Sequence, residues 1–75
     1  MIIDVRTEDE FNDGHVDKAI NIPVQIIAKI VLPFGKEDTI EVYSVSGGRA
    51  QMAKLILSHR GFTNVKLYQG TGVMN

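Results

Sequence analysis

The chain has 75 residues, 44% of them hydrophobic and 23% charged, with a formal net charge of −1. That is room for one small domain with a thin core, which buries about 60–65% of the surface its unfolded chain exposes. The absence of any block of like charge argues against a nucleic acid or an anionic membrane surface as the main partner.

There are no cysteines, so disulfides, zinc–thiolate sites and thiol redox chemistry are excluded in the chain as it stands. The longest apolar stretch, residues 24–34, is interrupted by Gln25, Lys29 and Pro33 and is too short to span a membrane. No basic segment followed by an apolar run opens the chain, so no signal peptide is read. The compartment is left open between cytoplasm and a periplasm reached after signal removal. His15 and His59 stand far apart, at no metal-ligand spacing. No metal and no cofactor are expected, and both histidines are read as structural or solvated.

Ile2, Ile3 and Val5 predict a buried strand over residues 1–5. Asp4 and Arg6 flank its C-terminal end, the end at which open α/β sheets bind ligands. Thr7 followed by Glu10 reads as a capping box opening a short helix, anchored by Phe11 and stopped by Gly14. Arg6 and Glu10 are close enough in sequence to pair. Residues 19–22 predict a second strand, ended by Pro23. Ile26, Ile27, Ile30 and Val31 then have the spacing of a core-facing helical stripe, which predicts a helix over 24–32.

A third strand is expected over 40–43 and a helix over 50–60, with Ala50, Ala53, Ile56 and Leu57 inward and Gly61 closing it. Phe62 is expected to cover the end of that helix. A fourth strand is expected over 65–68, and the glycine-containing tail, 69–75, is expected to be poorly ordered. Strands alternating with helices imply a parallel sheet with right-handed crossovers. No internal repeat or low-complexity segment is present.

Between the third strand and the long helix lies Ser44-Val45-Ser46-Gly47-Gly48-Arg49. A tight turn into a helix N-terminus leaves backbone N–H groups converging on one space, and the helix dipole adds positive potential there. Gly47 and Gly48 let the backbone curl, and Arg49 adds a fork-shaped cation. The stretch reads as an anion cradle with Ser44 at its entrance. The plain alternative is a structural turn followed by a solvated arginine.

Three motifs together resemble the rhodanese family. Ile3-Asp4-Val5-Arg6, Glu10-Phe11, Gly14-His15-Val16 and Ala19-Ile20-Asn21-Ile22-Pro23 are similar to its N-terminal signature. Val42 through Ala50 resembles its active-site loop, and Gly61-Phe62-Thr63-Asn64-Val65 with Gly70 resembles the approach to its last strand. Among its members the chain is most similar to the small single-domain bacterial rhodaneses. The resemblance implies a three-layer α/β fold, a parallel sheet of four to five strands with helices on both faces, and one domain over 1–75 that looks shortened at both ends. A sheet edge left bare in this way would suit a homodimer.

The resemblance also implies an activity. In the family a loop cysteine takes the outer sulfur of thiosulfate as a persulfide and passes it to a thiophilic acceptor. Ser44 to Arg49 has the six-residue loop length of the sulfurtransferases, where the related phosphatases have one residue more. Ser44 occupies the cysteine position, Val45, Ser46, Gly47, Gly48 and Arg49 the anion-binding loop, and Asp4 and Arg6 the supporting rim. With serine at the nucleophile position, by natural or engineered replacement, the chain is expected to bind thiosulfate or sulfite and turn over nothing. The alternatives are a naturally non-catalytic module for anion or protein binding, and phosphatase-like or serine-hydrolase chemistry on the same loop. A further departure is Asp17-Lys18, where the family usually has Pro-Gly.

Overall fold

The computed structural model describes residues 1–70; residues 71–75 of the tail expected to be poorly ordered lie outside the described residues. The elements in chain order are β1 (Ile2–Asp4), α1 (Glu8–Asn12), β2 (Ile20–Asn21), β3 (Ile40–Tyr43), α2 (Gly48–His59) and β4 (Val65–Leu67). The strands form one parallel sheet in the order β2-β1-β3-β4. After β1 the chain first adds a strand on one side, then crosses back to add β3 and β4 on the other. The two strands flanking that reversal, β1 and β3, end side by side, with Asp4 in register with Tyr43. Such a switch point opens a crevice beyond the carboxyl ends of the strands.

Alternation along the strands sends successive side chains to opposite faces. Ile3 and Val5 of the first strand segment, with Ile40 and Val42 of β3, bury against Ala50, Ala53 and Leu57 of α2, together with Ile22, Ile27 and Phe62. On the other face Tyr43, Val16 and Ala19 pack with Ile2, Phe11 and Tyr68. The result is three layers, with α2 on one face of the sheet and α1 on the other. The larger share of buried apolar surface, and so of hydrophobic stabilisation, lies on the α2 face.

The helix expected over 24–32 does not form; residues 24–29 make successive turns. Its hydrogen bonds run from Ile26 N to Pro23 O and from Lys29 N to Ile26 O, three residues apart, with one longer bond from Ile30 N to Ile26 O. Three residues per turn align 24, 27 and 30, not 26, 27, 30 and 31. Accordingly Ile27 is fully buried and Val24 and Ile30 pack against the core, whereas Ile26 and Val31 are exposed. The β-branched run carries little helix propensity, and Leu32 precedes Pro33, which disfavours helical backbone.

The remaining elements match expectation with shifted ends. β2 is two residues long, yet Ile22 N to Asp4 O and Val24 N to Val5 O continue its pairing. α2 starts at Gly48, two residues before Ala50. Phe62 is buried at the end of α2, meeting Phe34 edge to face at 5.3 Å. His15 is structural: Nδ1 bonds to Phe11 O at 2.8 Å and the ring stacks on Phe11.

Lys18 adopts φ 68°, the left-handed region. A β-branched side chain is poorly accommodated there, and glycine costs nothing in steric terms. In urea unfolding, Lys18→Val is expected to be less stable than Lys18→Gly by about 1–2 kcal/mol; equal stabilities of the two variants would contradict this backbone geometry.

Candidate functional site

The site begins with two buried charges. Asp4 is fully buried and Arg6 is 1% exposed. Arg6 Nη2 meets Asp4 Oδ2 at 2.7 Å, and its Nε donates to the same carboxylate at 3.0 and 3.1 Å. The backbone N–H of Arg6 also donates to Asp4 Oδ1 at 2.9 Å, closing a local turn. Nη2 donates further to Gly14 O at 2.6 Å. From β3, the Tyr43 hydroxyl donates to Asp4 Oδ2 at 2.7 Å and accepts the Val16 N–H at 3.0 Å, and its ring lies 5.7 Å from the Arg6 guanidinium carbon. Asn21 Nδ2 donates to Asp4 O and Arg6 O. The cluster thus ties β1, β2, β3 and the turn after α1 into one rigid floor.

Burial alone would raise the Asp4 carboxyl pKa, but hydrogen bonds from Arg6 and Tyr43 outweigh it and hold Asp4 below the usual carboxylate range. The Asp4 carboxylate in turn raises Arg6. Burial pushes the Tyr43 hydroxyl up. Asp4 and Arg6 therefore do not stand equally at the rim of the site. Arg6 lines the cleft, and Asp4 lies fully buried beneath it, bound to Arg6.

On this floor sits the loop that leaves β3. Ser44 follows the strand directly, and its Oγ accepts the Ala50 N–H at 3.1 Å. Gly47 takes φ 85°, a left-handed conformation, at the N-cap of α2. A Cβ there would meet no atom within 4 Å, so the demand for glycine is set by the backbone rather than by space. The N–H groups of Val45, Ser46, Gly47, Gly48 and Arg49 have no acceptor among the described residues. They surround the positive end of a 12-residue helix. A cleft of about 410 Å³ opens over the loop, lined by Arg6, Glu10, Asp13, Val45, Ser46 and Arg49.

Glu10 and Asp13 are the members of this cleft that sequence reasoning did not assign to it. Glu10 is the N3 residue of the capping box, and it accepts from the Thr7 N–H and hydroxyl at 3.1 and 3.0 Å. Its expected partner was Arg6; instead it receives both arms of the Arg49 fork, Nη1 at 2.7 Å and Nη2 at 2.9 Å. Arg6 is directed to Asp4, whose carboxylate lies two residues back on the same strand end. Proximity in sequence between Arg6 and Glu10 was therefore a poor guide, because α1 turns the Glu10 carboxylate toward the loop across the cleft. The Arg49 fork and the Thr7 cap pull the Glu10 pKa down to about 2.

Two consequences are open to measurement. Asp4→Asn leaves a buried guanidinium without its counter-charge and is expected to cost about 3–5 kcal/mol in chemical denaturation. Glu10 has a folded-state pKa depressed from 4.5 to about 2, so its contribution to stability is complete above the higher value and is lost as pH falls through the lower one. Glu10→Gln is expected to flatten the melting temperature against pH across that window. An acid limb unchanged by the substitution would contradict the assignment.

Comparison with known proteins agrees with this architecture. The rhodanese-like domain family matches residues 1–71. The chain is 38% identical over 76 residues to thiosulfate sulfurtransferase 16, chloroplastic, of Arabidopsis thaliana, covering 85% of this chain and 63% of that protein. It is also 38% identical over 66 residues to the thiosulfate sulfurtransferase PspE of Escherichia coli strain K12, covering 85% of this chain and 64% of the relative. It thus spans a little under two thirds of the length of these curated relatives. A solved E. coli rhodanese with anions superposes with a TM-score of 0.79 at 38% identity, over 88% of this chain and 80% of that one. Fold, motif order and sequence identity together place the chain in the rhodanese-like domain family.

Proposed function

We propose that this chain is a rhodanese-type sulfurtransferase domain with serine at the nucleophile position, which holds a sulfur oxyanion and does not turn it over. The observation that carries this reading is the loop itself: Ser44 at the end of β3, followed by five N–H groups that have no acceptor among the described residues, at the N-terminus of α2. The same Ala50 N–H that meets Ser44 Oγ would lie against the sulfur of a cysteine there and favour its thiolate, as would the helix dipole. Kinship with thiosulfate sulfurtransferases supports thiosulfate as the donor class and a thiophile as the acceptor.

The chemistry needs the thiol. A thiolate attacks the outer sulfur of thiosulfate, the S–S bond breaks, and sulfite leaves with the electron pair. The persulfide left on the protein is a monoanion matched to the ring of N–H groups. A thiophile such as cyanide then attacks the terminal sulfur, forms thiocyanate and returns the thiolate. Ser44 cannot enter this cycle. Its hydroxyl ionises far above neutral pH, its oxygen cannot carry a persulfide, and among the described residues Oγ has no histidine or carboxylate hydrogen-bonded to it as a base.

A second reading rests on the same hydrogen bond. Because Ser44 Oγ satisfies the Ala50 N–H, the loop keeps its form without the thiol, which suits a module that binds anions or partners and was never catalytic. A serine codon in the native gene favours that module, and a cysteine codon removes it.

The decisive assay is Ser44→Cys with thiosulfate and cyanide. Thiocyanate formation is expected to rise at least about a thousandfold over the parent chain. A folded variant that forms none removes the sulfurtransferase reading, and aryl phosphate hydrolysis in its place points to phosphatase chemistry.

A further inference from the structure

One wall of the cleft carries a charge that neither the fold nor the loop uses. Asp13 caps the C-terminal end of α1 through its backbone N–H, which donates to Asp9 O and Phe11 O. Its side chain takes no part in that cap. The carboxylate is exposed, has no hydrogen bond and no ion pair among the described residues, and lines the cleft together with Val45 and Ser46 of the loop. Glu10, the other carboxylate of the lining, is bound fork to fork by Arg49. α1 adds Glu8 and Asp9 in its first turn and no basic residue in its last. Asp13 therefore presents the cleft with a carboxylate that has no counter-ion among the described residues, while the loop N–H groups and the dipole of α2 present positive potential. Val45, 52% exposed, adds apolar surface to the same cleft.

The proposed cycle fills this cleft twice, and the two fillings meet Asp13 differently. The donor is seated on the loop N–H groups, which answer its charge. When the acceptor enters, a persulfide already occupies the loop, and its single charge is compensated by those same groups. The wall carboxylate then acts on the incoming molecule. It attracts an acceptor that carries a cation and repels one that carries an anion. A cleft of about 410 Å³ admits a small organic thiol as readily as cyanide.

We propose that Asp13 is a specificity-determining residue for the acceptor, and that the cleft takes small aminothiols, which set an ammonium group against the Asp13 carboxylate and the thiol sulfur against the loop. The inference rests on the sulfurtransferase reading and deepens it by naming the acceptor class. In the transfer step the acceptor thiolate attacks the terminal sulfur of the protein persulfide. The S–S bond to the protein breaks, its electron pair returns to the loop sulfur as thiolate, and the acceptor leaves as an aminoalkyl persulfide. No oxidant or reductant enters.

The test uses the Ser44→Cys chain with saturating thiosulfate and three thiols: 2-aminoethanethiol, 2-mercaptoethanol and mercaptoacetate, which are cationic, neutral and anionic apart from the thiol. Sulfite release gives kcat/KM for each acceptor, a quantity that in a ping-pong cycle reports the second half-reaction alone. The thiols differ in intrinsic reactivity, so the reading is the change in their ratios when Asp13 is replaced. Asp13→Asn is expected to lower the cationic-to-neutral ratio about three- to fivefold and to raise the anionic-to-neutral ratio by a similar factor. Asp13→Lys is expected to move both ratios further in the same directions. A merely structural role for Asp13 would change all three acceptors alike, and ratios that stay constant overturn the proposal. Should neither variant fold, the cationic-to-neutral ratio of the Ser44→Cys chain is read against ionic strength. It is expected to fall as salt is added, and a salt-independent ratio overturns the proposal. Thiocyanate from cyanide alongside constant ratios sinks the role of Asp13 and leaves the sulfurtransferase reading standing; no sulfite release with cyanide or with any thiol removes both.

Discussion

Everything at the functional end of this domain depends on one buried ion pair, Asp4 with Arg6. A charged pair with almost no solvent exposure is costly to desolvate, and it is tolerated here because its surroundings complete it. Asp4 accepts from the Arg6 backbone, the Arg6 side chain and the Tyr43 hydroxyl. Arg6 passes on to Gly14 O, and Tyr43 passes on to the Val16 N–H. These contacts fix three things at once: the end of β1, its register against β3, and the path of the chain after α1. The loop that begins at Ser44 leaves β3 one residue beyond Tyr43, so its starting point is set by the same network. Among the described residues no buried side-chain nitrogen or oxygen lacks a partner, which is the condition under which a polar cluster rigidifies a fold instead of weakening it.

How much of this was legible depends on whether the signal was local. The capping box at Thr7 and Glu10, the helix stop at Gly61 and the strand Ile40–Tyr43 are encoded within a few residues, and all three stand where they were read. The glycine loop was legible for the same reason, since a left-handed residue at a helix start leaves a compositional mark. The segment 24–32 was misread because its apolar spacing fits two periods. A period of 3.6 selects Ile26, Ile27, Ile30 and Val31; a period of three selects Val24, Ile27 and Ile30. The flanking prolines and the β-branched run decide for the second, and the core then takes what that geometry presents.

The pairing of charges was the least legible feature, and the reason is again physical. Four charged residues, Asp4, Arg6, Glu10 and Arg49, admit two neutral pairings. Sequence distance favours Arg6 with Glu10, but distance along the chain is irrelevant once α1 has folded back. What decides is burial. Arg6 is almost wholly buried and takes the equally buried Asp4 carboxylate; Glu10, partly exposed at the helix start, pairs with Arg49 across the cleft.

That allocation bears on how the loop handles charge. A guanidinium pointed freely at the cradle would hold a ligand strongly but would also hold it indiscriminately, and it would oppose release of a dianionic product such as sulfite. With Arg49 engaged by Glu10, the attraction in the cradle comes from N–H dipoles fixed in direction by the turn at Gly47, and these act over a short range on whatever atom sits at the centre of the loop. Under the proposed sulfurtransferase reading, with cysteine at position 44, that atom would be the terminal sulfur of a persulfide, which carries one charge. In this chain the same dipoles face Ser44, which under the proposed sulfurtransferase reading leaves the electrostatic arrangement for a sulfur anion without the atom that would accept the sulfur.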